Sequence, residues 1–333
     1  MIKLDSSMAD IFQNTSKSTL LWAIAALFVT AIFFAYLWYF HPHDPTVAAS
    51  EYPYIDFSRN FIAQEHYLTN IQPLRDTLKE KARQFERGGR KVSIYIEFLN
   101  TGANISINQE TYILPASLIK VPLAIAVLKK VQDGEWKLEN ELVLLQGDKD
   151  DMSGNERDMF ADYPIGATFT IEHLLERLLI DSDNTAYNIL LRNTGEKQFE
   201  EVVNVLVLQD LFRINGAVSA KEYSRILRSL YTASYLNRAN SERILEWLDQ
   251  ATFSDFISYS IEDEVPFPHK YGLDREKRVF GDSGIAYIPN RPYIISVLVE
   301  GRSDTSYEED YEIAAAFIRD VSLSTYTFFG SEK

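Results

Sequence analysis

A serine and a lysine three residues apart are the first residues in this sequence whose types and spacing could do chemistry. Ser117 and Lys120 begin and end the segment Ser-Leu-Ile-Lys, and an apolar run follows them. Residues three apart on a helix share one face, so the amine can reach the hydroxyl. A serine becomes a good nucleophile when a neighbouring base takes its proton, and burial favours the neutral amine that a base requires. On its own, this spacing also fits an ordinary helix start.

Two later segments combine with this pair. Ser182-Asp183-Asn184 lies between two predicted helices, and His269-Lys270-Tyr271-Gly272 leads into the last strands. Each has an ordinary explanation, because Ser, Asp and Asn are preferred helix N-caps and a lysine fits a strand edge. Together and in this order, the three segments resemble the Ser-x-x-Lys, Ser-Asp-Asn and Lys-Thr-Gly set of class A β-lactamases and penicillin-binding proteins. The resemblance covers roughly residues 66 to 325.

The resemblance implies a role for each polar residue of the first two segments. Ser117 is the residue that becomes acylated, and Lys120 activates it. Ser182 passes a proton toward the leaving nitrogen. Asn184 holds the side-chain amide of the substrate and helps to orient Lys120, whereas Asp183 is structural.

The resemblance also assigns the third segment to substrate binding. Lys270 supplies positive charge to the carboxylate of the substrate, and Gly272 and Leu273 continue the strand beside it. The backbone N–H groups of Ser117 and Leu273 form the oxyanion hole. Tyr271 departs from the family pattern, because a small hydroxyl residue normally stands there and bonds the same carboxylate. Recognition of a carboxylate at this position is therefore open.

A second departure concerns release of the product. We find no counterpart of the Glu-x-x-x-Asn loop with which class A β-lactamases activate the deacylating water. The nearby carboxylates stand in no recognisable motif, and we expect them on solvated helix faces: Glu196, Glu200, Glu201, Asp210 and Glu222. Without a base for water, an acyl-enzyme should persist.

Composition excludes several other classes of function. The formal net charge of -15 argues against binding to a nucleic-acid backbone. The chain has no cysteine, which excludes disulfides, cysteine metal sites and a cysteine nucleophile. His41 and His43 lack a third metal ligand nearby, so we interpret them as linker residues. We predict no cofactor and no metal.

An uncharged apolar stretch near the N-terminus predicts a membrane anchor. Residues 19–40 would span about 33 Å as a helix at ~1.5 Å per residue. We therefore predict a short cytoplasmic tail at 1–18, a transmembrane helix at 19–40 and a linker at 41–65. The distribution of lysine and arginine places the domain at 66–333 outside the cytoplasm. A cleaved signal peptide is the alternative, although the apolar run is long for one.

The order of predicted elements indicates an α+β fold. Strands at both ends of the domain should join in one antiparallel sheet, flanked by the first and last helices, with an all-helical lobe inserted between them. We expect the pattern to be helical from about residue 115 to 184, with Pro122 inside a buried helix, where it frees the carbonyl of Leu118. The predicted helices are 71–85, 171–180, 185–193, 219–234, 241–251 and 307–323, and the clearest strands are 91–98, 105–107, 279–287 and 293–300.

These observations favour a membrane-anchored, β-lactamase-like serine hydrolase that forms an acyl-enzyme on Ser117 with a β-lactam or a related peptide amide. One alternative is a cell-wall DD-peptidase or transpeptidase, and another is a non-catalytic penicillin-binding sensor. The sequence does not identify the natural substrate or the oligomeric state.

Overall fold

The computed structural model describes residues 22, 26–31, 53–55, 70–149, 160, 162–206, 208 and 216–331. Residues 1–51 and 52–333 form separate units. In the first unit, residues 26–31 are helical. Most of the predicted span at 19–40 and all of the predicted tail at 1–18 lie outside the described residues. No helix in the described part of the chain is both long and apolar enough to cross a membrane.

The second unit contains the helices and strands of the predicted domain. The described strands are β1 (Lys91–Phe98), β2 (Asn104–Ile107), β3 (Glu141–Val143), β4 (Thr168–Thr170), β5 (His269–Asp274), β6 (Val279–Ala286) and β7 (Tyr293–Glu300). The described α-helices are α1 (Gln72–Arg87), α2 (Lys120–Gln132), α3 (Ile171–Ile180), α4 (Asn184–Thr194), α5 (Glu196–Val205), α6 (Ala220–Tyr231), α7 (Arg238–Asp249) and α8 (Tyr307–Ser331). A 3-10 turn, Ala116–Ile119, directly precedes α2.

Five of these strands form one antiparallel sheet in the order β2-β1-β7-β6-β5. The N-terminal strand β1 pairs with the C-terminal strand β7 along its whole length, from Lys91 opposite Glu300 to Phe98 opposite Tyr293. The prediction that the first strands join the last ones is therefore confirmed. Strand β5 forms one edge of the sheet, and it carries the third candidate segment.

The sheet is covered on both faces, which explains why its central strands are buried at nearly every position. Alternate residues of β7 pack into two different cores, because successive side chains point to opposite faces. Ile295 and Val297 join the core formed with α1 and α8. Ile294 and Leu298 join the core formed with the helical lobe. The α+β architecture with an inserted helical lobe is thus confirmed.

Part of the predicted helical block is not helical. Between α2 and α3 the chain forms a small two-stranded ladder, in which Leu142 of β3 pairs with Phe169 of β4. Gly134 and Gly166 adopt positive φ angles in this region, and such angles interrupt helical hydrogen bonding. The prediction of continuous helix from 115 to 184 was therefore wrong for this stretch.

The placement of Pro122 in a helix interior was also wrong. Helix α2 begins at Lys120, so Pro122 lies in the first turn, where backbone N–H groups have no intrahelical partner. The carbonyl of Leu118 does make a bond outside the helix, since it accepts one from the hydroxyl of Tyr223 in α6 at 3.0 Å. The proline therefore costs little here, and the turn that carries Ser117 is fastened to α6.

Residues 53–55, within the predicted linker at 41–65, are bound to α7. The backbone N–H of Tyr54 donates to both carboxylate oxygens of Glu242, at 3.0 and 3.1 Å. Its hydroxyl donates to Asp249 at 2.7 Å, and its carbonyl accepts from the hydroxyl of Tyr287 at 2.6 Å. Ile55 is buried beside it. This part of the segment is thus integrated into the domain.

Candidate active site

Ser117 lies on a tight turn that presents it at the start of α2. Ala116, the preceding residue, has a φ of 47°, in the left-handed region that is costly for a residue with a side chain. The N–H of Leu118 donates to the carbonyl of Pro115 at 3.0 Å and closes the turn. Leu118 is fully buried, whereas Ser117 is partly exposed. The backbone therefore directs the serine outward and anchors the next residue in the core.

Lys120 joins the first two candidate segments. Its Nζ lies 3.1 Å from Ser117 Oγ and 3.2 Å from Ser182 Oγ. It also lies 2.5 Å from the carbonyl oxygen of Ser182 and 2.5 Å from Asn184 Oδ1. The side chain is 2% exposed. The structure thus brings Ser117, Lys120, Ser182 and Asn184 together around one nitrogen atom.

The oxygens around Lys120 can complete the hydrogen bonds of its Nζ whether the group is a neutral amine or an ammonium ion. The carbonyl of Ser182 and the amide oxygen of Asn184 can only accept hydrogen bonds, so they take two N–H groups. In a neutral amine the remaining position is a lone pair, which can accept the proton of a hydroxyl. In an ammonium it is a third N–H, which can donate to Ser117 Oγ. Transfer of a proton between Ser117 and Lys120 therefore leaves no polar group without a partner.

The backbone around Ser182 explains how one residue offers two oxygens to the lysine. Ser182 has a φ of 59°, again in the left-handed region, and both its carbonyl and its hydroxyl lie within reach of Lys120. Asp183 follows as the N-cap of α4, where its carboxylate accepts from the N–H of Ala186 at 2.7 Å. Asp183 thus has the structural position expected of it, and the cap fixes Asn184 as the first residue of the helix.

The edge strand β5 passes very close to the nucleophile turn, and Gly272 permits this approach. A Cβ atom at Gly272 would lie 2.6 Å from the carbonyl oxygen of Pro115 and 3.2 Å from the backbone nitrogens of Ser117 and Leu118. Leu273, the next residue, carries the second N–H group that the family resemblance assigns to the oxyanion hole. The strand and the turn therefore bring these backbone segments side by side.

Lys270 is entirely buried at the start of the same strand. Its Nζ donates to the carbonyl of Leu179 at 3.3 Å and lies 4.7 Å from the centre of the Tyr271 ring. Burial and the positive charge of Lys120 hold the pKa of Lys270 well below its ordinary value, although the carboxylates of Asp282 and Asp181 act in the opposite direction. A positive charge on Lys120 therefore disfavours a positive charge on Lys270.

Tyr271 reaches the site by a route that the sequence did not indicate. Burial is the main cause that raises the pKa of Tyr271, and an interaction with the Ser182 side chain acts in the opposite direction. The ring stacks on Phe253, with 3.9 Å between the ring centres and 15° between the planes. The Tyr271 side chain thus interacts with the residue that the resemblance assigns to proton transfer.

Sequence reasoning missed three residues behind the site. Asp282 in β6 bonds His269 Nδ1 at 2.8 Å and accepts from the N–H of Ile257 at 3.0 Å, while it is fully buried. Tyr223 holds the carbonyl of Leu118, and Phe253 supports Tyr271. A carboxylate within the strand Val279–Ala286, whose other residues are uncharged, was a usable signal. The other two residues are ordinary aromatic residues in sequence.

The carboxylates that we considered for deacylation have other positions. Glu196 begins α5, and Glu200 and Glu201 are exposed on the same helix. Glu222 belongs to the capping box of α6, where it accepts from the N–H of Ser219 at 3.2 Å. Asp210 lies outside the described residues. The four described carboxylates therefore have helix-surface or capping positions.

Comparison with known proteins places this geometry in a family. The model of the beta-lactamase enzyme family matches residues 73–329. The beta-lactamase VEB-1 of Pseudomonas aeruginosa is 22% identical over 262 residues, which cover 72% of this chain and 85% of the relative.

Solved structures share the fold at low sequence identity. A mutant of PBP-A, described as an acyl-enzyme complex with penicillin G, superposes with a TM-score of 0.68 at 19% identity and covers 78% of this chain and 97% of its own. A beta-lactamase from Sphaerobacter thermophilus superposes with a TM-score of 0.68 at 23% identity and covers 77% of this chain and 97% of its own.

The family model spans most of the chain and includes every residue of the three candidate segments. The geometry around Lys120 agrees with this match, since a buried amine contacts a partly exposed serine and a second serine. The chain therefore belongs to the beta-lactamase enzyme family, and it is a serine hydrolase that works through an acyl-enzyme.

Proposed function

We propose that Ser117 attacks a β-lactam or a related peptide amide and carries the acyl group. The observation that carries this proposal is the position of Lys120 Nζ, 3.1 Å from Ser117 Oγ and 3.2 Å from Ser182 Oγ. A base at this distance can take the proton of the nucleophile. A second hydroxyl at the same amine can then return a proton to the leaving group.

The geometry supports the following sequence of proton transfers. The neutral amine of Lys120 takes the proton of Ser117 as the serine oxygen bonds to the substrate carbonyl carbon. Negative charge on the carbonyl oxygen then faces the backbone N–H groups of Ser117 and Leu273. When the carbon–nitrogen bond breaks, the nitrogen takes the proton of Ser182, and Lys120 restores the Ser182 proton. The amine is neutral again once the acyl-enzyme has formed.

The described carboxylates that we considered offer little support for a base that activates water to release the acyl group. Glu222 is held in a helix cap, and Glu200 and Glu201 are on the surface of α5. We therefore favour a long-lived acyl-enzyme over rapid hydrolysis of β-lactams. The alternative of a cell-wall DD-peptidase or transpeptidase, in which another peptide amine accepts the acyl group, is supported by the structural similarity to PBP-A.

One experiment separates these outcomes. The full-length protein, purified in detergent, is mixed with benzylpenicillin, and the intact protein mass and the opening of the lactam ring are followed over the same period. We expect a one-to-one adduct whose lifetime exceeds the time of its formation. Ring opening far beyond one equivalent would instead establish an efficient β-lactamase. Absence of both an adduct and ring opening, with benzylpenicillin and also with its methyl ester, would contradict the proposal.

We further propose that residues 19–40 anchor the protein in a membrane with the hydrolase domain outside the cytoplasm. The support is the uncharged apolar stretch and the distribution of basic residues around it. With a tag at the C-terminus of the full chain, protease added to intact cells should digest the domain and abolish the signal of the tagged full-length protein. Lysed cells serve as the control that the domain can be cleaved. Full protection in intact cells with digestion after lysis would contradict the outward orientation.

A further inference from the structure

The cation that the family resemblance assigns to the substrate carboxylate has no exposed surface. Lys270 is 0% exposed, whereas its neighbour Tyr271 is partly exposed. The Nζ of Lys270 lies 4.7 Å from the centre of the Tyr271 ring and donates to the carbonyl of Leu179. A ligand that approaches this part of β5 therefore meets the tyrosine ring before it meets the ammonium group.

The tyrosine is held in this position at both ends. Its ring stacks on Phe253 with 3.9 Å between the centres, and Phe253 in turn packs edge-on against the buried ring of Phe256 at 4.9 Å. Its side chain also interacts with that of Ser182. Movement of the ring away from Lys270 would break the stacking on Phe253 and the contact with the Lys270 amine together. The cover is therefore part of the resting site.

Charged groups within the protein also interact with Lys270. The carboxylates of Asp282 and Asp181 are near enough to favour its charged form. Burial and Lys120 oppose that form more strongly and hold its pKa well below the ordinary value. A substrate carboxylate would compete with two internal carboxylates for a cation that burial already disfavours.

We propose that Tyr271 is a specificity-determining residue that closes the carboxylate subsite, so that the enzyme takes acyl donors that are neutral at this position. The proposal rests on the proposed acylation of Ser117. A carboxylate placed against the tyrosine would lose its hydrogen bonds to water. In return it would contact the face of the ring, which carries partial negative charge, and a single phenol hydroxyl. An uncharged ester or amide loses much less on entering the same place. The substrate class is thus an amide or lactam without a carboxylate beside the scissile bond.

A matched pair of ligands tests this inference. Benzylpenicillin and its methyl ester differ only in the carboxylate. The rate of adduct formation on the full-length protein is measured for each and divided by the rate at which hydroxide opens the same compound, which corrects for intrinsic reactivity. We expect the wild-type protein to be acylated by the ester at least as fast as by the acid.

Two variants distinguish the effect of the Tyr271 ring from the effect of its hydroxyl. Tyr271→Thr uncovers Lys270 and should shift the acid-to-ester ratio toward the acid by about tenfold or more, the usual effect of a hydrogen bond to a charged group. Tyr271→Phe keeps the ring and should keep the wild-type ratio, even if the loss of the Ser182 contact lowers both rates. Thermal unfolding of each variant shows whether it folds, and the wild-type ratio is decisive if Tyr271→Thr does not.

The outcomes distinguish this inference from the function on which it rests. Acylation of the wild-type protein tenfold faster by the acid, or an unchanged ratio in folded Tyr271→Thr, would overturn the closed subsite and leave acylation of Ser117 intact. No adduct with either compound, in the wild-type protein and in both variants, would overturn the proposed function and this inference with it.

Discussion

At the residue scale, the contacts of Lys120 explain why we propose that a buried amine and two serines act as one catalytic unit. Its nitrogen meets two oxygens that can only accept and two hydroxyls that can also donate. Removal of the amine would take away the proposed base and the link between Ser117 and Ser182 at once. The hydroxyls would remain near each other, but neither is a sufficient base for the other.

Replacement of Lys120 should therefore affect acylation much more than folding. We expect Lys120→Met to lower the rate of adduct formation by roughly 10²–10⁴-fold, the usual contribution of a general base. The measurement is intact mass after mixing with a β-lactam ester. Lys129→Met is the matched control, because Lys129 lies on the same helix, away from Ser117, and forms an ion pair with Asp133. A rate within threefold of wild type in Lys120→Met would exclude the lysine as the base.

Tyr223 stabilises the turn that carries Ser117. It is buried, and its hydroxyl donates a hydrogen bond to the carbonyl of Leu118. Tyr223→Phe should lower the free energy of unfolding by about 1–3 kcal/mol, because it leaves a buried carbonyl without this donor. Denaturant unfolding measures the change, with Tyr259→Phe as the control at an exposed ring. A loss below about 0.5 kcal/mol would show that the bond contributes little.

At the scale of elements, the site depends on contact between strand β5 and the turn that carries Ser117. Gly272 is the point of closest approach, since a Cβ there would overlap the carbonyl of Pro115 at 2.6 Å. Either the strand or the turn must move if a side chain is added. Displacement of either one would also displace the backbone N–H groups of Ser117 and Leu273, to which the proposed mechanism assigns the developing oxyanion.

Gly272→Ala should therefore reduce acylation by about 100-fold, as expected for a misplacement of about 1 Å in a reacting site. Gly147→Ala is the matched control, because a Cβ at Gly147 meets nothing within 4 Å. Adduct formation is measured for both variants at equal fractions of folded protein. Wild-type rates in Gly272→Ala would mean that the close approach is not needed.

The same scale shows what sequence could and could not predict. The bounds of α3 agree with the predicted 171–180, because the helix is amphipathic and Thr170 caps it. The β3–β4 ladder was missed, because strands of three residues contain too little periodicity to detect. The family motifs located Ser117 and Lys120, whereas the contacts of Tyr223 and Phe253 join segments far apart in the chain. No local pattern encodes such contacts.

At the scale of the whole molecule, residues 53–55 are bound to α7 through the titrating carboxyl group of Glu242. Burial raises the pKa of Glu242 from an ordinary value of 4.5 to about 7, although the N–H of Tyr54 acts in the opposite direction. The folded protein therefore binds more protons than the unfolded chain between these two values. Stability from this group is present at acidic pH and is lost as the pH rises through about 7.

Glu242→Gln should remove this pH dependence while it keeps an acceptor oxygen for Tyr54. We expect the variant to gain thermal stability relative to wild type at pH 8 and to differ little from it at pH 5. The melting temperature is measured at both pH values and at one scan rate. Glu276→Gln, at a highly exposed carboxylate, is the control. An equal effect of Glu242→Gln at both pH values would contradict the raised pKa.

The position of the acyl group is the most direct measurement of how this protein works. The full-length protein is mixed with benzylpenicillin or its methyl ester, quenched in acid at short times, digested and sequenced by mass spectrometry. We predict that the added mass lies on Ser117 and that it disappears in Ser117→Ala, while Ser182→Ala still acquires it more slowly. An acyl group on another residue of the wild-type protein, or an undiminished adduct in Ser117→Ala, would contradict Ser117 as the nucleophile.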